Sequence, residues 1–417
     1  MGIKHLHQFL RKTCPHVYVE VPLCKYAFRK IALDVSIYMC KFKTTYGSNF
    51  MDAFLHMISI LRYNDVHFVC VYDTKAPPEK DRERKQRIES RERTRDRVEK
   101  IRQSWDSICE TPSEAVHKLH QWVNQDPEIV QQWTEEHSAF SSFLEKLQEQ
   151  QQETAVDTTT TDPVQQPPLD FAMVEREVLR LENTLLSIRS EDFLLTKELF
   201  QACGIPILDA EGEAEATCAY LAKQGLVCGV LTEDTDVLAY GCPFMLHRID
   251  YQKHTCIEID LQEVLESLHF TYEQWLDFCI LCGTDYNSNL PKMGVERSYK
   301  LILQYGSIDT MESRFDLSPL NYVRVRELFR KCHLVPETQT ISYCGFPDAT
   351  RLDPFVFVNN CKYDMTTFYM NLSKSRFHQF GNEEDKQEDG TSSFQTIFRQ
   401  EKDSKPSPLL SKGRRIT

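Results

Sequence analysis

Four short apolar runs, each followed at once by acidic residues, constrain this chain more than any other feature. They read KIALD (30–34), HFVCVYD (67–73), GIPIL (204–208) leading into DAEGEAEATCAY, and LVCGVLTED (226–234). Their β-branched and apolar content predicts four buried strands. Between the first two, MDAFLHMISILRY has apolar residues at helical spacing; between the last two, EAEATCAYLAKQG predicts a helix closed by glycine. Alternating strands and helices predict an α/β fold, a mainly parallel central sheet with helices on both faces. In such sheets the functional site lies beyond the carboxyl ends of the strands. The acids stand there: Asp34, Asp73, the pair Asp234 and Asp236, and the run Glu211, Glu213 and Glu215.

The chain is long enough for a sizeable core, with 417 residues of which 41% are hydrophobic, so fibrous and disordered classes are excluded. It contains no apolar run of about 20 residues, and MGIKHLHQFLRK lacks the apolar segment of a signal peptide, so an intracellular protein without a membrane partner is expected. The fifteen cysteines are irregularly spaced and read as reduced, mostly buried thiols. Cys279 and Cys282 form a CxxC in an apolar helical run, where i,i+3 spacing puts both on one core-facing side, and no second Cys or His pair follows at a zinc-like distance.

The formal net charge of −13 is unevenly distributed, since residues 75–102 hold 12 Lys/Arg against 7 Asp/Glu. We expect an N-terminal region (1–95), a helical insertion (96–175), an internal region (176–310), a C-terminal helical region (311–380) and a tail (381–417), with the composition changing between residues 103 and 175 and again beyond about 380. The Gln/Thr/Pro-rich stretch at 147–169 and the tail carry too little apolar surface to offset the entropy of ordering and are expected to be disordered.

Taken singly, an aspartate after a strand is ordinarily only the cap of the next helix. Collectively the acids need another account, because crowded, partly buried carboxylates cannot all stay ionised without cations. An extended TEDTD segment would point Asp234 and Asp236 to one side. Glu213 and Glu215 would lie about 200° apart on a regular helix, so Glu213 is expected in the non-helical entry or the first turn. An all-oxygen cluster suits Mg²⁺ or Mn²⁺, which also suit phosphate substrates.

The segments MGIKHLHQFL, KIALDVSIY, FVCVYDTKAPPEK, DAEGEAEATCAYLAKQG, TEDTDVLAYG and DFCILCGTDYNSNLPKMGVERSYKLI resemble, in order, the flap endonuclease/XPG (RAD2) family of structure-specific 5′ nucleases, most of all its flap endonuclease branch. The resemblance spans residues 1–95 and 175–310, with an echo to about 376. It implies a PIN-like 5′ nuclease core and a divalent-metal site formed by Asp34, Asp73, Glu213, Glu215, Asp234, Asp236 and Asp285, all seven retained. Two Mg²⁺ ions, or Mn²⁺ in their place, would hydrolyse DNA phosphodiesters to a 5′ phosphate and a 3′ hydroxyl.

The same resemblance assigns Lys80 and Arg87, seven apart on a helix of the gateway, to the scissile phosphate; the bland alternative is a solvated mixed-charge helix. Gly2 matches a glycine near the active site, and Tyr38 either stacks on a nucleobase or packs as a core tyrosine. A helix-two-turn-helix near 276–304 would grip the DNA backbone through Lys292 and Gly294, with a K⁺ ion in family members. Lys292 here replaces the first glycine of the usual Gly-x-Gly. The insertion after residue 95 corresponds to the helical cap that sorts free 5′ ends. In the tail, TSSFQTIF (391–398) sits where a sliding-clamp motif is carried, with Thr391 for its glutamine. The implied partner is branched or nicked DNA in replication and repair, in the nucleus or at a cytoplasmic replication site for a viral chain. The rivals are an exonuclease, a junction-cutting XPG relative, and a non-catalytic DNA-binding scaffold.

Overall fold

The computed structural model describes residues 2–110, 175–176, 179–180, 182–183, 185–331, 340–374 and 414–415. The stretch 147–169, most of the helical insertion and the TSSFQTIF segment lie outside the described residues. The described chain divides into two units, residues 1–84 with 188–417, and residues 85–187.

The first unit opens with α1 (Leu6–Thr13), β1 (Tyr18–Pro22), β2 (Lys30–Asp34), α2 (Val35–Tyr46), α3 (Phe50–Tyr63) and β3 (His67–Tyr72). A 3₁₀ turn (Pro78–Lys80) then leads into α4 (Asp81–Glu110). The chain returns through α5 (Ser190–Ala202), β4 (Ile207–Asp209), α6 (Ala214–Lys223), β5 (Val230–Leu231) and α7 (Asp236–Ala239). After these come β6 (Phe244–Asp250), β7 (Thr255–Asp260), α8 (Leu261–Leu268), α9 (Tyr272–Cys282), α10 (Val295–Tyr305), α11 (Tyr322–Arg330), α12 (Ala349–Val358), α13 (Met365–Ser373) and the two-residue β8 (Arg414–Arg415).

The strands form one mixed sheet in the order β4-β3-β2-β5-β6-β7-β1-β8. Strands β4, β3, β2, β5 and β6 are parallel, while β7, β1 and β8 continue antiparallel. From β2 the order runs one way to β3 and β4 and the other way to β5 and β6, so a topological switch lies between β2 and β5. Alternation along the strands feeds two cores. Ala32, Val69 and Val71 pack with residues of α1, α6, α9 and α10 on one face. On the other, Ile31, Leu33, Phe68, Cys70 and Tyr72 pack with residues of α2, α3, α5, α12 and α13. Both CxxC thiols belong to the first of these cores.

Two predicted strands are shorter than their apolar runs. Gly204 sits at φ +68° and its N–H closes a turn on Gln201, while Pro206 has no N–H, so β4 begins only at Ile207. TEDTD is not extended. Thr235 is already helical, with φ −74° and ψ −10°, and Asp236 opens α7. Strands β1, β6 and β7 were not among the four predicted runs.

In the second unit, Arg102 pairs with Glu175 at 2.9 Å and Glu182 at 3.4 Å. Arg87 lies here, on an exposed turn of α4.

Candidate active site

The ends of the parallel strands, with Asp285 from the loop after α9, bring all seven expected carboxylates into one neighbourhood. Asp34 ends β2 and is 3% exposed. It caps α2 by accepting the Ile37 N–H at 3.4 Å, while its other oxygen accepts the Thr232 hydroxyl at 3.1 Å. The cap reading therefore holds for Asp34 without exhausting it. Asp73 follows β3, is exposed, and accepts the Ala214 N–H at 2.6 Å, which ties it to the first turn of α6. Glu213 stands just before α6 with extended backbone, φ −90° and ψ 139°, and Glu215 lies in its first turn. Both are buried. Glu211 is exposed.

Beyond β5, Asp234 accepts the Asp236 N–H at 3.0 Å, so a turn rather than an extended segment pairs these acids. Asp236 is 0% exposed, and neither of its carboxylate oxygens meets a hydrogen-bond partner. Glu233 turns elsewhere: it pairs with Lys41 at 2.5 Å and accepts the Arg248 N–H at 3.2 Å.

Lys80 binds the remaining acids together. Its Nζ lies 2.5 Å from Glu213, 3.3 Å from Glu215 and 3.7 Å from Asp285, above the Tyr286 ring at 5.6 Å. Burial works against its charge, but Glu215, Glu213 and Asp236 outweigh it and raise its pKa. The carboxylates feel the crowding. Burial, then Asp73 and Asp234, push Asp34 up to about 8. Burial also holds Asp236 well above the ordinary carboxylate range, with Asp234 and Asp285 adding. For Glu215 burial outweighs the Lys80 ammonium, and Glu213, Asp73 and Asp234 raise it further. A single ammonium does not neutralise seven acids, and crowded carboxylate oxygens favour divalent ions.

The charge, the oxygen donors and the two unpartnered Asp236 oxygens fit divalent cations. Among the described residues no group of three His, Cys, Asp or Glu side chains is drawn up to hold a metal ion. Lys80 supplies a physical reason, since its ammonium stands between Glu213, Glu215 and Asp285.

Gly2 rests against the same cluster. A Cβ there would stand 2.2 Å from Asp234 Oδ1 and 2.6 Å from Thr235 Oγ1, and its φ of +88° favours glycine independently. Tyr38 requires a correction. Its side chain is 1% exposed and its ring packs 5.6 Å from that of Phe42, so it belongs to the core and presents no face to a nucleobase. The loop between α9 and α10 exposes Lys292 at φ +57° and Gly294 at the start of α10.

Sequence reasoning missed the supports beneath the acids. The Tyr286 hydroxyl donates to Glu213, the Tyr240 and Tyr286 hydroxyls are 2.5 Å apart, and Thr232 holds Asp34. Tyr286 directly follows Asp285, which was the one local signal for it.

Two family descriptions match this chain, the XPG N-terminal domain over residues 1–94 and the XPG I-region over residues 204–285. Together they contain all seven acids. The chain thus carries two domains of the XPG/RAD2-like family of structure-specific nucleases. Nucleases of this family use divalent metal ions.

Among its relatives is a probable RAD2-like endonuclease of Invertebrate iridescent virus 3, 27% identical over 86% of this chain and 92% of that protein. Another is a putative RAD2-like endonuclease of Frog virus 3, 28% identical over 79% of this chain and 83% of that protein. Among solved structures, the catalytic core of Rad2 in complex with DNA substrate superposes with a TM-score of 0.56 at 17% identity, covering 86% of this chain and 95% of that one. Flap endonuclease-1 from Methanococcus jannaschii gives 0.52 at 20% identity, covering 85% and 97%. At these identities the structures show the shared fold. Among the described residues no helix is long and apolar enough to cross a membrane.

Proposed function

We propose that this chain is a 5′ nuclease that hydrolyses phosphodiester bonds in branched or nicked DNA, as a 5′ flap endonuclease with 5′-to-3′ exonuclease activity. The observation that carries this reading is Asp236, fully buried with both oxygens unpartnered, inside a cluster of seven acids that one lysine leaves negative. Asp34, Asp73, Glu213, Glu215, Asp234, Asp236 and Asp285 would hold two Mg²⁺ ions, with Mn²⁺ as a substitute. Bound divalent ions supply Lewis-acid polarisation of the phosphodiester and offset the charge that develops on it.

The chain's own residues do the rest. Lys80 offers three N–H donors beside the acids and stands to neutralise the scissile phosphate; Arg87 is proposed for the same phosphate. Gly2 leaves room beside Asp234 that any side chain would fill. Lys292, Gly294 and the N-terminus of α10 would hold the duplex backbone without reading its sequence. The oxygen of water bonds to phosphorus as the bond to the 3′ oxygen breaks. After proton transfer to that oxygen, the products are a 5′ phosphate and a 3′ hydroxyl.

The test compares Mg²⁺-dependent cleavage of 5′-flap, nicked, gapped and four-way DNA. Preference for the flap, lost on chelation, is the expected result. Preference for the four-way substrate would make the chain a junction-cutting relative, and binding without cleavage of any substrate would make it a scaffold.

A further inference from the structure

We propose that Arg324 is a positioning residue for Lys80, acting through a clamp on Glu79; the proposal rests on the placement of Lys80 at the scissile phosphate. Lys80 closes the 3₁₀ turn Pro78–Lys80, and the stretch from Asp73 to Pro77 before it has no regular structure. The start of that stretch is tied down, because Thr74 donates its N–H to Gly212 at 3.0 Å and its hydroxyl to Ala210 at 2.6 Å. Its far end is held by Arg324, whose Nε donates to Glu79 Oε1 at 2.7 Å. The second Glu79 oxygen is buried.

Arg324 lies on α11, which is itself anchored beside the site. Two residues along, Arg326 donates Nε and Nη2 to the two oxygens of buried Asp277 on α9, both at 2.6 Å. Phe329 packs its ring 4.7 Å from Tyr240 and 5.3 Å from Tyr286, whose hydroxyl donates to Glu213. One helix therefore supports the acid that Lys80 meets and also the turn that carries Lys80. A lysine ammonium on a flexible four-carbon stem is well placed only when its backbone is fixed. The Arg324–Glu79 pair is partly exposed, with side chains 44% and 17% accessible, so it contributes little to stability and its effect falls on position.

The experiment uses the full chain and the variants Arg324→Ala, Glu79→Ala, Arg324→Lys, Lys80→Ala and the double variant Arg324→Ala/Lys80→Ala. Single-turnover cleavage of a 5′ flap, DNA affinity, and acetylation of Lys80 by acetic anhydride, read by mass spectrometry, are measured for each. Arg324→Ala and Glu79→Ala should each slow cleavage about 10-fold and speed Lys80 acetylation, with Arg324→Lys restoring most of both. Charge alone would act oppositely in the two variants, since losing a cation weakens DNA binding and losing an anion strengthens it. A common loss of rate thus identifies the clamp. In the Lys80→Ala background, Arg324→Ala should add no further slowing. Unchanged acetylation in Arg324→Ala and Glu79→Ala, or further slowing in the double variant, would overturn the proposal. If the unmodified chain cleaves no DNA, the nuclease assignment fails, and acetylation alone decides whether Arg324 positions Lys80.

Discussion

Asp236 brings two unpartnered oxygens to the first turn of α7, and burial with Asp234 and Asp285 holds its pKa well up. Replacing it with asparagine removes one charge from a crowded site while keeping its shape. Asp236→Asn should therefore raise metal-free stability by about 1 kcal/mol and lower cleavage by more than about 10²-fold, with DNA binding retained. Thermal unfolding and single-turnover assays on one preparation check both halves. His7, a half-buried group, has a second measurable signature. Its ring nitrogen lies 2.7 Å from the Tyr18 hydroxyl, and burial, then His247 and Arg11, lower its pKa to about 3. The unfolded chain binds this proton near pH 6.5 and the folded chain near 3, so stability is present above 6.5 and declines as pH falls through that window. His7→Phe should flatten the decline between pH 6.5 and 5 by about 1–2 kcal/mol, measured by urea unfolding at each pH. Equal slopes in the two proteins would remove His7 as its source.

At the level of elements, the loop between α9 and α10 shows how backbone and charge separate. Lys292 is exposed at φ +57°, a conformation that costs a lysine about 1 kcal/mol relative to glycine. Lys292→Gly should be more stable than Lys292→Ala by about that amount. Both should weaken DNA binding and lower its salt slope by about 1 if the ammonium meets a phosphate. Titrations at several salt concentrations, beside denaturant curves, separate the two effects. The same scale shows what the sequence could and could not disclose. KIALD and HFVCVYD were legible because their strands are buried on both faces and end in the acids. β1, β6 and β7 were not, because their partners are up to 241 residues away, as in Tyr18 opposite Ile259, and their mixed burial gives no continuous apolar run.

For the whole molecule, the switch between β2 and β5 gathers acids from positions 34 to 285 onto one end of the sheet. Folding forces these charges together, and if they bind divalent ions as proposed, ligand linkage makes stability depend on those ions. Adding Mg²⁺ at a hundred times its Kd should stabilise the fold by about 2.7 kcal/mol, with EDTA reversing the gain. Calorimetry with and without Mg²⁺ measures it, and Asp234→Ala should lose most of the response. An unchanged melting temperature in the unmodified chain would argue against divalent binding at these acids.

The sequence by itself determined the strand-and-helix alternation, the placement of acids after strands, and the family resemblance, because each rests on neighbours along the chain. It also confined Glu213 to the helix entry or first turn, since helical spacing forbids Glu213 and Glu215 from sharing a face, and the structure puts it just before α6. Only the tertiary structure decided that Tyr38 is core, because burial depends on what α3 and the sheet lay over it. It alone showed that Lys80 stands among Glu213, Glu215 and Asp285, that Tyr286 supports Glu213, and that Arg324 reaches Glu79 across 245 residues. Such contacts join side chains from distant elements, and no local spacing encodes the path by which the sheet brings those elements together.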